Sequence, residues 1–238
     1  MPEKKSHGNN LKSLFSGETL RTVFADRART NLLKKQEQMA IFWLVRRIPP
    51  FITSNMLTGI GFFGNIIVAG SFIMASYFSR LFLLLGLVGF FISWFGDSLD
   101  GRLAYFRNKP RKNYGFTLDI TIDWISIIII GFGYMFYADG PWILLGFGFV
   151  VLYGWEMIIA LIRYKITGKY SIDSGKLGPT EVRIVVGLIM IAEVLMPGSL
   201  NYSALVVVVV LFLVNVTDTR RLLRVADEID RHERQEKS

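Results

Sequence analysis

The chain has no cysteine and only two histidines in 238 residues. Without cysteine there is no disulfide framework, no thiol nucleophile, and no Cys-ligated zinc or iron–sulfur centre. The histidines, His7 and His232, both lie in polar tails, so histidine catalysis is not expected. No apolar stretch of signal-peptide type follows the basic start, so no leader peptide is expected either. Alternating and amphipathic patterns of the kind that build a soluble core are also scarce.

What the chain has instead is long apolar runs. It is 52% hydrophobic, and that content is concentrated in stretches long enough to cross a bilayer. The sequence therefore predicts an all-α integral membrane protein with six transmembrane helices. The expected spans run from Asn55 to Phe78, Leu81 to Ser98, Leu118 to Tyr137, Pro141 to Tyr164, Glu181 to Met196 and Ala204 to Val216. The last two are short, so each is expected to extend into its flanks. An interfacial amphipathic helix over about Asn31 to Arg47 precedes them, ended by Pro49 and Pro50. The chain divides into residues 1–50, an N-terminal segment carrying that helix; residues 51–217, the six-span domain; and residues 218–238, a charged helical tail.

The net charge of +8 is positive enough to raise nucleic acid as a partner. Its distribution argues for topology instead. All but one of the 27 Lys and Arg fall in the termini or in the loops after the second and fourth spans and their flanks, the exception being Arg80. Basic residues stay on the cytoplasmic side of a membrane, so both termini are expected there and no nucleic acid is expected.

Four aspartates stand out. Asp97 and Asp100 are three apart at the end of the second span, and Asp119 and Asp123 are four apart at the start of the third. On helices each pair shares one face. Carboxylates this near hydrocarbon need a cation or a wet cavity. An all-oxygen donor set suits a hard divalent ion, Mg²⁺ or Mn²⁺, and four ligands can hold two ions. Two antiparallel helices joined by a loop of about twenty residues would bring the four together. Gly101 and Gly115 would let a ligand approach the backbone, and the basic loop from Arg107 to Lys112 would attract a polyphosphate. Glu156, expected inside the fourth span, is either functional or satisfied by a neighbouring helix.

The stretch reads Asp97-x2-Asp100-Gly101-x2-Ala104-Tyr105-x9-Gly115-x3-Asp119-x3-Asp123. It resembles the signature of the CDP-alcohol phosphotransferases, D-x2-D-G-x2-A-R-x8/9-G-x3-D-x3-D. Seven of its eight fixed positions match; the exception is Tyr105, where the family usually has Arg. Residues 50–58 also look like the family's approach to its first span. The resemblance implies a membrane enzyme of phospholipid synthesis that cleaves a CDP-linked donor, passes a substituted phosphate to an alcohol acceptor and releases CMP. It implies that Asp97, Asp100 and Asp119 hold one metal ion, and Asp97, Asp119 and Asp123 a second. Asp123 would also be the general base. Asn55, Thr58, Gly101, Ala104, Tyr105 and Gly115 would border the nucleotide. Lys176, Glu181 and Arg183, in a segment similar to the family's variable fifth-span start, would meet the acceptor or a phosphate. A homodimer is implied as well.

Two donor orientations fit. CDP-diacylglycerol can give a phosphatidyl group to a small polar alcohol, or CDP-choline or CDP-ethanolamine can give its head group to a lipid alcohol. The chain's size is nearer the first group, whereas the GPTE segment at Gly178–Glu181 resembles the second. Two other readings fit less well. A membrane prenyltransferase usually carries two distant Asp-rich motifs, and a cation transporter would carry acids near the midplane of several spans.

Overall fold

A computed structural model describes residues 34–168 and 179–236. Among them are seven α-helices and no strand. They are α1 (Lys34–Val45), α2 (Ser54–Tyr77), α3 (Leu83–Phe106), α4 (Lys112–Tyr137), α5 (Ile143–Thr167), α6 (Pro179–Leu195) and α7 (Ser199–Glu236). Short 3-10 turns, Arg80–Phe82 and Gly140–Trp142, introduce α3 and α5.

Local chemistry sets the helix ends. Thr53 caps α2, its side chain accepting from the Met56 amide at 3.2 Å. At the end of α3, Asn108 turns left-handed at φ 54°. The Lys109 amide then reaches back to the Ala104 carbonyl at 2.9 Å, and Pro110 follows, which closes the helix. Gly168 ends α5 at φ 68°.

Five of the helices, α2, α3, α4, α5 and α7, are long and apolar enough to cross a membrane. The remaining expected span, α6, has 17 residues. That is about 25 Å of helix, against a hydrocarbon core of roughly 30 Å.

The helices overrun the expected spans. Hydropathy places the end of the second span at Ser98 and the start of the third at Leu118, about twenty residues apart. In the structure α3 continues to Phe106 and α4 starts at Lys112, so residues 107–111 alone form the link. Hydropathy falls where a chain leaves hydrocarbon, but polar residues continue a helix readily. The four aspartates therefore lie within continuous helices. In the same way α7 passes position 217 without a break.

Packing closes α2–α3–α6–α7–α5–α4 into a ring, with α1 set against α3. The tightest seam is α2 against α3. A Cβ on Gly64 would overlap the Ser93 amide, and one on Gly96 would overlap the Gly61 amide and the Leu57 carbonyl. Small residues here let the two backbones touch, which carries α3's aspartates alongside α2.

At the other end of the bundle, buried Glu193 accepts from Tyr137 Oη at 2.7 Å and from the Gly198 and Leu200 amides at 2.9 and 2.7 Å. A carboxylate thus holds the start of α7 to the end of α4.

Of the expected amphipathic helix, residues 31–33 lie outside the described residues. In α1, Ile41 and Val45 pack on Leu57, Leu99 and Leu103. The opposite side is apolar too, with Met39 and Trp43 exposed and Arg47 lying 3.6 Å over the Trp43 ring. The helix buries one apolar face in the protein and leaves a second uncovered.

Candidate functional site

The site forms where α2, α3, α4 and α6 converge. From α3 and α4, the carboxylates of Asp97, Asp119 and Asp123 come together, each offering an oxygen within 4.8 Å of the others. The one-face spacing within α4 and the glycine seam beneath α3 produce this meeting. A Cβ on Gly61 would stand 3.2 Å from the Asp97 amide, so α2 passes directly beside the cluster.

Asp100 lines the same cavity but has a different environment. It accepts from Thr58 Oγ1 at 2.7 Å and from the Gly101 amide. Asp97 Oδ2 instead accepts from Arg183 Nη2 at 2.8 Å. Arg183 comes from the first turns of α6 and is the one cationic side chain among the described residues that line the cavity.

The space between the carboxylates is about 20 Å³, enough for one water or one ion. Ligands on opposite sides of a divalent cation lie about 4–5 Å apart, so the observed spacing suits an ion. The all-oxygen donor set favours magnesium, manganese or calcium over softer metals.

The other expected residues are distributed around this centre. Thr58 lines the cavity, while Asn55 sits one turn further out on α2. There Asn55 donates to Tyr114 Oη at 3.1 Å and accepts from Arg111 at 2.7 Å. The Arg111 guanidinium also lies 4.1 Å over the Tyr114 ring. Gly101 and Gly115 are exposed, and a Cβ on either would meet nothing within 4 Å. Ala104 and Tyr105 are half-buried in the last turns of α3, away from the cavity lining. Glu181 is buried at the start of α6. Lys176 lies outside the described residues. Glu156 is buried in α5 and does not line the cavity.

Within the basic link, Arg107 is engaged by the backbone. Arg107 turns away from the aspartates and donates to the carbonyls of Ile48, Pro49, Pro50 and Ile52. It fastens the α1–α2 connection.

A scan against protein families matches the model for CDP-alcohol phosphatidyltransferases over residues 51–217. The chain belongs to this family. No curated protein matches it. Members of the family are transferases that move a group from a CDP-alcohol donor to an alcohol acceptor, and they generally depend on a divalent metal. The matched region contains the whole four-helix convergence.

The aspartates were legible from spacing alone, but their neighbours were not. Gly61, Phe62, Asn65, Ser93 and Ile122 also line the cavity, and Asn65 donates to Ser126 at 2.9 Å. On α2 a signal existed: positions 58, 61, 62 and 65 share a helical face, so Thr58 pointed to the others.

Proposed function

We propose that this phosphatidyltransferase takes CDP-diacylglycerol as donor and passes the phosphatidyl group to a small polar alcohol, releasing CMP. The observation that carries this reading is the convergence of Asp97, Asp119 and Asp123 within the region matched to the family. It rests further on six membrane crossings, α6 being the shortest, with both termini and the site on the cytoplasmic side. The placement of all but one Lys and Arg supports that sidedness.

Asp97, Asp119 and Asp123 would hold the divalent ions, and Asp100 would complete the set. Bound there, the ions would neutralise the diphosphate and the charge that develops on the leaving CMP. Asp123 accepts the proton of the acceptor hydroxyl. The hydroxyl oxygen forms a bond to the lipid-linked phosphorus. The bond from that phosphorus to the bridging oxygen breaks, and CMP leaves with the electron pair. Thr58 orients Asp100 by its hydrogen bond. Asn55, Arg111 and Tyr114 border the nucleotide one turn outward, and exposed Gly101 and Gly115 leave space for its close approach.

The test is a donor screen with purified protein in lipid nanodiscs. CDP-diacylglycerol and CDP-choline or CDP-ethanolamine are offered separately, with and without EDTA, and CMP and lipid products are read by mass spectrometry. EDTA-sensitive CMP release from CDP-diacylglycerol supports the proposal. Release only from the CDP-amino alcohols reverses the donor orientation. No metal-dependent CMP release from any donor refutes the transferase reading.

A further inference from the structure

Arg183 stands beside the carboxylate cluster. Its guanidinium donates at 2.8 Å to Asp97, one of the three carboxylates that converge. Both side chains are partly exposed, 20% for Arg183 and 27% for Asp97, so the pair is not locked in a packed interior. Arg183 therefore already neutralises part of the charge that a cation would neutralise. The four carboxylates that line this cavity, Asp97, Asp100, Asp119 and Asp123, outnumber the one guanidinium among its described lining residues, which leaves negative charge for cations to balance. Each divalent ion that loads makes the site more positive, and so more attractive to the negative charges of a CDP-linked diphosphate.

We propose that Arg183 is a built-in counter-ion that couples metal loading to donor binding: it holds Asp97 while the donor is absent and transfers to the donor's diphosphate when it arrives. This deepens the function proposed above and rests on its assignment of Asp97, Asp119 and Asp123 as metal ligands. While paired with Asp97, Arg183 opposes metal binding by charge repulsion and by occupying Oδ2. Once an anionic diphosphate lies beside it, the guanidinium gains a better partner, since phosphate accepts in the same forked geometry as carboxylate. Asp97 is then released to the ions. Linkage makes the effect reciprocal: the diphosphate tightens metal binding, and metal tightens diphosphate binding by the same factor. The consequence is that a metal-loaded site does not form fully until donor is present.

The coupling is measured without turnover. Mn²⁺ binding to the full chain in nanodiscs is followed by electron paramagnetic resonance, alone and with CDP as the diphosphate probe. In the wild type, CDP is expected to tighten Mn²⁺ binding by about tenfold or more, within the usual range of such couplings. Arg183→Gln and Arg183→Met are expected to bind Mn²⁺ alone about tenfold more tightly than the wild type, with a CDP effect correspondingly smaller. Arg183→Lys keeps the charge and is expected to stay within about threefold of the wild type. Two neutral variants guard against one failing to fold, and general loss of structure would weaken Mn²⁺ binding, the opposite sign. If the neutral variants bind Mn²⁺ no more tightly than the wild type, or keep the whole CDP effect, the coupling role is wrong while the metal site stands. If the wild type itself binds no Mn²⁺ that Asp119→Asn removes, the metal assignment fails first.

Discussion

Thr58 Oγ1 lies 2.7 Å from Asp100 Oδ2, joining α2 to α3 across 42 residues of sequence. The bond separates Asp100 from the other three aspartates, whose oxygens face one another. Thr58→Val keeps the shape and removes the donor. It is expected to lower CMP release by about tenfold, the scale of one charge-assisted hydrogen bond, while Thr58→Ser retains most activity. Rates of CMP release normalised to folded protein would decide it, and equal rates for the two variants would show that the bond does not serve the reaction.

Asp123→Asn and Asp97→Asn should differ in stability although both lose activity. Loss of a general base typically lowers the rate by 10²–10⁴-fold, and that range is expected for Asp123→Asn. In EDTA, the same change relieves repulsion among like charges, so its thermal midpoint should equal or exceed the wild type's. Asp97→Asn leaves Arg183 with a weaker acceptor and should melt lower by about 2–4 °C, the shift expected for ~1 kcal/mol in a chain of this size. Melting curves of the two variants in EDTA give the comparison, and the reverse order would contradict the ion-pair geometry.

Two glycine changes should have opposite consequences. At Gly64 a new Cβ overlaps the Ser93 amide, so Gly64→Ala should destabilise the bundle by about 1–3 kcal/mol through overpacking. At Gly101 a Cβ meets nothing within 4 Å, and alanine is the better helix former by about 1 kcal/mol. Gly101→Ala should therefore fold at least as well as the wild type, yet raise the KM for the CDP-linked donor severalfold. Thermal midpoints and donor titrations read the two effects separately.

Arg107→Ala should loosen the connection before α2. Its guanidinium serves four carbonyls between Ile48 and Ile52, and one charged hydrogen bond contributes about 1.5–3 kcal/mol. The expected result is faster proteolysis at residues 46–53, with the KM for the donor unchanged. A selective rise in that KM would instead place Arg107 at the donor.

The parts of this protein that could be read in sequence are those whose partners are near in the chain. Asp97 with Asp100, and Asp119 with Asp123, declare themselves by helical spacing, and apolar length locates the helices on which they sit. The Arg183–Asp97 pair spans 86 positions, so although Arg183 stands out with Lys176 and Glu181 as a candidate contact, no local pattern pairs it with Asp97. Helix ends were also hidden. Hydropathy marks where hydrocarbon stops, while α3 stops where Asn108 adopts a left-handed turn and Pro110 follows. In sequence Arg107 is one more charge in a basic run, because the carbonyls of residues 48–52 that surround it lie more than fifty positions away.

The unbroken course of α7 sets a length scale for whatever meets its tail. Its 38 residues make a rod about 57 Å long, nearly twice the hydrocarbon thickness of a bilayer. Asp218 fastens it near the middle, 3.3 Å from Arg163 of α5, and beyond that point Arg231 and Asp227 pair along its own surface at 2.8 Å. The second half is thus a stiff strut, and anything attached to its tip is held at a set standoff from the helical ring.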